Sequence, residues 1–186
     1  EITILASLRI GIGGVTVNDD TGIWSEVGGG GLSLVLREGD AVPGLAGVQV
    51  GRLATGAYAT ATTGVTTGET AFSVTFKGAS TDTAILRASI SGTTVSVQAV
   101  ARENSPAPGT ALQFGNIAGS YSDPARMDAT GNLVFAALTK PGNKEGLWYQ
   151  PVGGSLAKVV MADDTAPGTS GATFSRIQRP SIGSNG

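Results

Sequence analysis

Apolar and polar residues alternate at the start of the chain. An apolar side chain occupies every second position from Ile2 to Ile12. Alternation with a period of two is typical of a β-strand that buries one face. The pattern therefore predicts a long first strand over residues 1–12, whose apolar face is formed by Ile2, Ile4, Ala6, Leu8, Ile10 and Ile12.

Shorter apolar segments follow, each bounded by turn residues. Phe72, Val74 and Phe76 alternate with polar residues, and residues 134–138 form a more uniformly apolar run. Glycine-, Asp- and Asn-rich stretches separate these segments, as is usual for tight turns between strands. A sustained helical period of 3.6 is missing throughout. The pattern predicts an all-β protein.

Several elements recur in the same order along the chain. An apolar pair appears as Ile23-Trp24, Ile85-Leu86 and Leu147-Trp148, in steps of 62 residues. Each copy is followed by a strand, a Pro-Gly turn and then a glycine that opens the next unit, at Gly68, Gly131 and Gly186. Repeat units bury their hydrophobic faces against neighbouring units. The recurrence predicts one repeat domain over residues 1–186, with units at about 1–68, 69–131 and 132–186.

Each predicted unit holds four short strands in about 60 residues. Four-stranded units in series are typical of β-propeller blades, so the units are predicted to be blade-like. A β-sandwich or barrel is the alternative architecture. Propellers close with about four to eight blades, and three units fall short of that number. Either the chain belongs to a longer array, or two or more chains combine, or the units stack openly.

The motif set resembles a family of secreted bacterial tandem-repeat proteins. Units of that family read roughly N-x-x-G-x-x-x-F, then G-I/L-W, then V-A-R-E-G-D-x-A-P-G. The resemblance implies an exported protein that is extracellular or attached to the cell surface, and it implies no catalytic residues. The matching residues are Asn185-Gly186, Gly131 with Phe135, Gly22-Ile23-Trp24, Gly146-Leu147-Trp148, Arg37-Glu38-Gly39-Asp40, Val100-Ala101-Arg102-Glu103 and the three Pro-Gly pairs.

The long first strand suggests how copies could join. Long terminal strands commonly pair with exposed sheet edges. The chain starts at Glu1 without an initiator Met, as a secreted mature protein or an excised fragment would. The sequence thus predicts a non-enzymatic extracellular structural protein that assembles into filaments or rings by β-strand complementation. The alternative is a propeller-like lectin that binds glycans, in which Trp24 and Trp148 would stack on sugars rather than fill the core.

Composition excludes several function classes. The net charge is −2 and the four lysines are scattered, so the basic surface of a nucleic-acid binder is missing. The absence of Cys and His removes disulfides, zinc-thiolate sites and Ser-His-Asp triads. Apolar runs stay well below the roughly 18 residues of a membrane-spanning helix. The sequence predicts no enzyme activity, no cofactor and no membrane span.

Acidic clusters supply the remaining candidate chemistry. Asn18, Asp19 and Asp20 form the densest group of oxygen ligands and are a weak calcium candidate, with turn formation as the alternative. Asp163 and Asp164 could be a catalytic pair, but they precede a Pro-Gly turn where backbone bonding suits them better. Structural roles are predicted for Arg37-Glu38 and Arg102-Glu103. The glycine-containing stretches 11–14 and 28–31 do not fit a phosphate loop, since no helix or Lys-Ser/Thr pair follows them.

Overall fold

The computed structural model describes residues 2–26, 31–42, 44–62, 67–78, 82–117, 125–177 and 180–183. These residues form twelve β-strands in three antiparallel sheets, and none of them is helical. The all-β prediction is confirmed. The predicted turn glycines 28–30 and the motif residues Asn185-Gly186 lie outside the described residues.

The three sheets follow one another along the chain. The strand bounds are β1 Ile2–Ser7, β2 Thr21–Glu26, β3 Leu32–Arg37, β4 Val50–Thr62, β5 Thr67–Phe76, β6 Thr83–Ser91, β7 Thr94–Arg102, β8 Gln113–Phe114, β9 Ala125–Met127, β10 Leu133–Lys140, β11 Lys144–Gln150 and β12 Ala157–Met161. Sheet 1 has the order β1-β2-β3, sheet 2 the order β4-β5-β6-β7, and sheet 3 the order β12-β11-β10-β8, with β9 also paired with β10.

The first strand is shorter than predicted, and the prediction of one strand over residues 1–12 is wrong. β1 ends at Ser7, although the Leu8 amide still donates to the Asp20 carbonyl at 2.6 Å. Beyond Leu8 the chain turns, because the Gly11 amide bonds the Val15 carbonyl and Gly11 has a φ of +84°. Only glycine adopts such angles at no steric cost. Ile10 and Ile12 therefore lie in an exposed turn, not on a strand.

A glycine two positions before each tryptophan has a direct steric cause. Residues two apart in a strand share a face, so the indole of each tryptophan folds over the glycine. A Cβ on Gly22 would lie 2.7 Å from Cη2 of Trp24, and one on Gly146 would lie 2.4 Å from Cη2 of Trp148. Ala84 takes this position where the smaller Leu86 replaces tryptophan. The spacing of the Gly-x-Trp motif is thus a packing requirement.

Each of the three sheets also carries a bulge at the same place. The register shifts between Ile23 and Trp24 in sheet 1, between Ile85 and Leu86 in sheet 2, and between Leu147 and Trp148 in sheet 3. A bulge bends a strand and increases its twist. The shared position gives β2, β6 and β11 the same local shape.

The turns that follow β3, β7 and β12 are built alike in all three sheets. The second residue of each turn has a left-handed backbone: φ is +89° at Gly39, +69° at Asn104 and +73° at Asp163. Gly, Asn and Asp are the residues that adopt this conformation most readily. Their amides donate to the carbonyls of Val50, Phe114 and Phe174 at 2.8, 2.9 and 2.8 Å.

Each sheet has two faces, named here from residues paired across its strands. The front face carries the tryptophan or its counterpart, and the back face carries the residue before it. The front faces hold Ile4, Trp24 and Leu34 in sheet 1, Phe72, Leu86 and Ala99 in sheet 2, and Phe135, Trp148 and Lys158 in sheet 3. The back faces hold Leu5, Ile23 and Leu36, then Ser73, Ile85 and Ala101, then Ala136, Leu147 and Val160.

The sheets pack front on back, and two hydrophobic cores result. In the first core, Ile23 and Leu36 from the back of sheet 1 lie with Phe72 and Leu86 from the front of sheet 2. In the second core, Ile85 and Ala101 from the back of sheet 2 lie with Phe135 and Trp148 from the front of sheet 3. The same type of interface therefore occurs twice within one chain.

Candidate functional site

The strand β1 has an open edge. Among the described residues it pairs only with β2. β5 and β10 hold the same place in sheets 2 and 3, and each also pairs with a strand on its other side. An open strand edge presents unpaired amides and carbonyls and can template the addition of another strand. β1 is therefore a place where sheet 1 can be extended.

In sheets 2 and 3, the strand that pairs with the equivalent edge directly follows the turn after the last strand of the preceding sheet. Val50 follows the turn after β3 and pairs with Phe76, whereas Phe114 follows the turn after β7 and pairs with Thr139. Phe174 follows the turn after β12, and its amide bonds the Asp164 carbonyl at 3.0 Å, as that of Val50 bonds Asp40 at 2.8 Å. Phe174 nevertheless has no paired strand opposite it among the described residues.

The front face of sheet 1 is exposed where its counterpart is buried. Ile2 is 56% exposed and Leu32 is 55% exposed. The residues in the matching positions of sheet 2, Thr70 and Val97, are 0% and 8% exposed. Contiguous exposed apolar patches mark interaction surfaces more often than scattered apolar residues do. The front of sheet 1 is thus an apolar surface without a covering sheet in the described chain.

The back face of sheet 3 is also incompletely covered. Leu147 and Val160 are half-buried, whereas Ile23 and Ile85, which match Leu147, are 1% and 0% exposed. A groove of about 350 Å³ opens on this face. It is lined by Val134, Leu147, Tyr149, Val159, Ser181, Ile182 and Gly183.

The two tryptophans differ in environment, although the sequence places them in equivalent motifs. Trp148 is fully buried, packs edge-on against Phe114 at 4.8 Å between ring centroids, and donates Nε1–H to the Pro108 carbonyl at 3.2 Å. It is therefore a core residue and has no free ring face for a sugar. Trp24 is only half-buried, because the described residues place no sheet over the front face of sheet 1.

A polar cleft between sheets 2 and 3 is the second candidate for binding. It has a volume of about 430 Å³ and is closed on one side by the loop at Gly153. At its base Arg87 forms an ion pair with Glu69 and donates to the carbonyl of Gly131 at 2.9 Å and to Oε1 of Gln150 at 3.4 Å. Sequence reasoning missed this cleft, since nothing in the pattern brings Arg87 near residues 63 positions away.

The acidic turn at residues 18–20 is held by cations of the protein itself. Thr16 donates both its amide and its hydroxyl to Asp19 Oδ1 at 2.7 Å, and Arg37 Nη2 lies 2.8 Å from Asp19 Oδ2. Lys77 donates to the Asn18 carbonyl. A guanidinium and an ammonium thus stand where a calcium ion would need oxygens. Among the described residues, no three acidic, His or Cys groups are placed to share a metal ion.

The Asp163 and Asp164 carboxylates face turn and lysine partners. Asp164 Oδ2 accepts the Met161 amide at 2.7 Å, and both its oxygens accept from Lys158 Nζ at 3.0 and 2.9 Å. The hydrogen bond from Lys158 lowers the pKa of Asp164, and it outweighs burial, which acts to raise that pKa. A general acid needs the opposite shift. Asp163 is the left-handed turn residue and pairs with Lys144 at 2.9 Å.

This arrangement predicts a specific loss of stability in acid. A carboxyl whose folded pKa is lowered stabilises the fold above its ordinary pKa, here 3.8, and that contribution disappears as pH falls through the lowered value. In urea unfolding at pH 7, 4 and 3, we expect Asp164→Asn to lose less stability on acidification than the original chain. Lys158→Met removes the same hydrogen bond and should flatten the pH dependence in the same way. An unchanged slope in both variants would contradict this role.

Arg37 at the end of β3 and Arg102 at the end of β7 reach the turns that precede β2 and β6. Arg37 pairs with Asp19, and Arg102 pairs with Asp82 while its guanidinium lies 5.3 Å from the Phe76 ring centroid. Their neighbour Glu103 points elsewhere, toward Lys140 at 3.3 Å. Arg102 and Glu103 are adjacent in the sequence, but each forms an ion pair with a different residue.

The described residues define an all-β protein of three stacked antiparallel sheets, in which they leave the edge of β1 open, the front of sheet 1 without a covering sheet and the back of sheet 3 only partly covered. Residues 54–186 match DUF7453, described as a family of unknown function, and the chain belongs to that family. The chain matches no curated protein and no solved structure. The described residues contain no helix of the length and apolarity that crossing a membrane requires.

Proposed function

We propose that this protein is a non-enzymatic structural subunit, exported from the cell, that joins copies of itself by β-strand addition. Its three sheets correspond in this proposal to three blade-like tandem repeats. The observation that carries the proposal is the edge of β1, which is open among the described residues, together with the segment at Phe174, which has the turn geometry of an edge strand but no described strand opposite it.

The register of the joint follows from the two joints inside the chain. Phe76 and Thr139 each lie four residues after the front-face residue of their strand, Phe72 and Phe135, and they pair with Val50 and Phe114. Leu8 lies four residues after Ile4, the front-face residue of β1. The proposed joint therefore places Phe174 of one copy opposite Leu8 of the next.

The joint gains hydrogen bonds along the backbone and hydrophobic burial from the side chains. Strand addition satisfies open edge groups without any catalytic or charged residue. At the internal joints the corresponding side chains, Val50 and Phe114, are 0% and 1% exposed. Burying a large apolar side chain fully contributes roughly 1.5–3 kcal/mol. Phe174 is only half-buried in the single chain, so its burial is still to be gained.

Disulfide trapping tests this register directly, because the chain has no cysteine of its own. Directly opposed strand residues have Cβ atoms about 4.5–5.5 Å apart, which is close to the separation a disulfide spans. We expect a mixture of Leu8→Cys chains and Phe174→Cys chains to form mixed disulfide-linked pairs under mild oxidation. Val152→Cys, at an exposed apolar position, is the matched control and should not pair with Leu8→Cys.

The alternatives give different products. A chain that carries both Leu8→Cys and Phe174→Cys tests the alternative. If only this double variant forms the disulfide, and it does so within single chains, then the segment at Phe174 pairs with β1 of its own chain and the strand-addition proposal is wrong. Glycan binding at the polar cleft beside Arg87 is then the next function to test, since amide and carboxylate groups there could bond sugar hydroxyls. The burial of Trp148 removes one of the two aromatic platforms that the lectin alternative used.

A further inference from the structure

The polar cleft between sheets 2 and 3 has no equivalent at the interface between sheets 1 and 2. Arg87 lies two positions after Ile85 on the back of sheet 2, and the matching residue on the back of sheet 1 is Ser25, two positions after Ile23. Ser25 is 0% exposed, and its hydroxyl lies 2.9 Å from that of Thr3. The first interface therefore closes over a small polar pair, whereas the second holds a guanidinium at the same place.

The sheet that faces Arg87 also departs from the repeat. Gln150 lies two positions after Trp148 on the front of sheet 3, and its counterpart on the front of sheet 2 is Ala88, which is 0% exposed. Residues 151–156 join β11 to β12 and contribute to the lining of the cleft, whereas residues 92–93 alone join β6 to β7. Packing that a repeat needs recurs in each unit. Polar groups added at one interface therefore indicate a role besides packing.

The described lining of the cleft carries no net charge. Its charged residues, Glu69 and Arg87, pair with each other, and Oε1 of Glu69 also accepts from the Ser89 hydroxyl at 3.2 Å. A phosphate or a carboxylate binds by charge-assisted hydrogen bonds to a cation, and Glu69 already occupies the cation here. A cationic ligand would in turn compete with Arg87 for Glu69. The cleft therefore suits an uncharged ligand.

The cleft also has hydrogen-bonding groups to spare. Each Nη of Arg87 makes one described hydrogen bond and keeps a second N–H. The side-chain amide of Gln98 has no partner among the described residues, and it offers both donors and an acceptor. Nε2 of Gln150 makes only a long bond of 3.5 Å, to the Gly154 carbonyl. A ligand that donates and accepts at several adjacent atoms fits this set.

We infer that this cleft binds an uncharged pyranose sugar. Adjacent hydroxyls of a sugar ring each donate and accept, and an amide or a guanidinium presents two polar atoms side by side that engage two hydroxyls together. The volume of about 430 Å³ lies within the range of small-molecule sites. The exposed side chain of Val152 adds an apolar contact for the C–H face of the ring.

The residues of the cleft divide into supports and a recognition group. Arg87 is 3% exposed and ties sheet 2 to the Gly131 carbonyl, so it positions the site and also stabilises the fold. Gln98 is exposed on β7 and bonds no described residue, so its replacement removes contacts to a ligand without removing contacts of the fold. Gln98 is therefore the residue through which binding is tested.

An NMR titration of the isotopically labelled protein with maltotriose, cellotriose, mannotriose and chitotriose tests the inference. We expect at least one of these neutral sugars to shift the side-chain amide signals of Gln98 and Gln150 and the backbone amide signals of Gly153 and Gly154. Gln98→Ala should weaken this binding by roughly 3–10-fold, the effect of losing one or two hydrogen bonds. Gln113→Ala is the matched control, because it removes an exposed strand glutamine outside the cleft and should leave the affinity unchanged.

Each outcome decides the assignment. Saturable shifts at the cleft that weaken in Gln98→Ala support it. The absence of shifts up to about 20 mM sugar would overturn it, since a site with a Kd of about 1 mM would then be nearly full. Shifts confined to other surfaces, or binding of trigalacturonic acid without binding of the neutral sugars, would overturn it as well. The cleft shares no residue with the joint of Leu8 and Phe174, so disulfide trapping and this titration decide the two proposals separately.

Discussion

Trp148→Ala is expected to lower the free energy of unfolding by about 3–5 kcal/mol, the range for removing a large buried aromatic side chain. Trp148 is 0% exposed and contacts Phe114 and Phe135 at the centre of the second core. Its loss leaves a cavity between sheets 2 and 3 and also removes the hydrogen bond to the Pro108 carbonyl. Urea unfolding monitored by far-ultraviolet circular dichroism measures the change.

Trp24→Ala is the matched control, since it changes the same residue of the same motif. Trp24 is half-buried, so the monomer should lose less than about 2 kcal/mol. If Trp148→Ala does not fold, Trp148→Phe keeps a ring in the core and loses the Nε1–H donor, and it should cost about 1–2 kcal/mol. Equal losses for Trp24→Ala and Trp148→Ala, measured on monomers, would contradict the assigned difference in burial.

The sequence predicts the strands well because their signals are local. The Gly-x-Trp spacing and the apolar alternation each follow from residues two apart in a strand, which share a face. The end of β1 is the exception. Alternation continues to Ile12, but Gly11 and the bond to Val15 turn the chain, and periodicity alone does not register that turn.

The candidate site is less accessible from sequence because it depends on which strand pairs with which. The recurrence of Val50, Phe114 and Phe174 is visible in the sequence, whereas the open edge of β1 requires the sheet orders. Equivalent residues also differ in exposure: Trp24 and Trp148 look alike in the sequence, and only the stacking of the sheets distinguishes them. At the polar cleft, Arg87 on β6 bonds to Gln150 and Gly131, and no local sequence pattern indicates these contacts.

Arg87→Met is expected to lower the free energy of unfolding by about 3–5 kcal/mol, because it leaves the largely buried carboxylate of Glu69 without its cationic partner. Arg87 is 3% exposed, and the side chain of Glu69 is 16% exposed. The substitution also removes the donor to the Gly131 carbonyl, one of the polar contacts that join sheet 2 to the start of β10. Thermal and urea unfolding should both show the loss.

A double variant separates the cost of the unpaired charge from that of the lost contacts. Replacing both members of a buried ion pair by uncharged residues is often close to neutral, whereas removing one member is not. Arg87→Met combined with Glu69→Gln should therefore recover much of the stability lost in Arg87→Met, and the coupling energy follows from the two single variants. Little recovery would mean that the bonds to Gly131 and Gln150, rather than the charge on Glu69, account for the loss.

The surface pair Lys144–Asp163 provides the comparison for Arg87–Glu69. Its N–O distance is 2.9 Å, but the two side chains are 42% and 66% exposed. Solvent screens such pairs, and they contribute between zero and about 1 kcal/mol. Lys144→Met should therefore leave the unfolding midpoint almost unchanged. If Arg87→Met and Lys144→Met cost the same stability, burial does not determine the strength of these ion pairs. Arg87 would then not be a major polar contact between sheets 2 and 3.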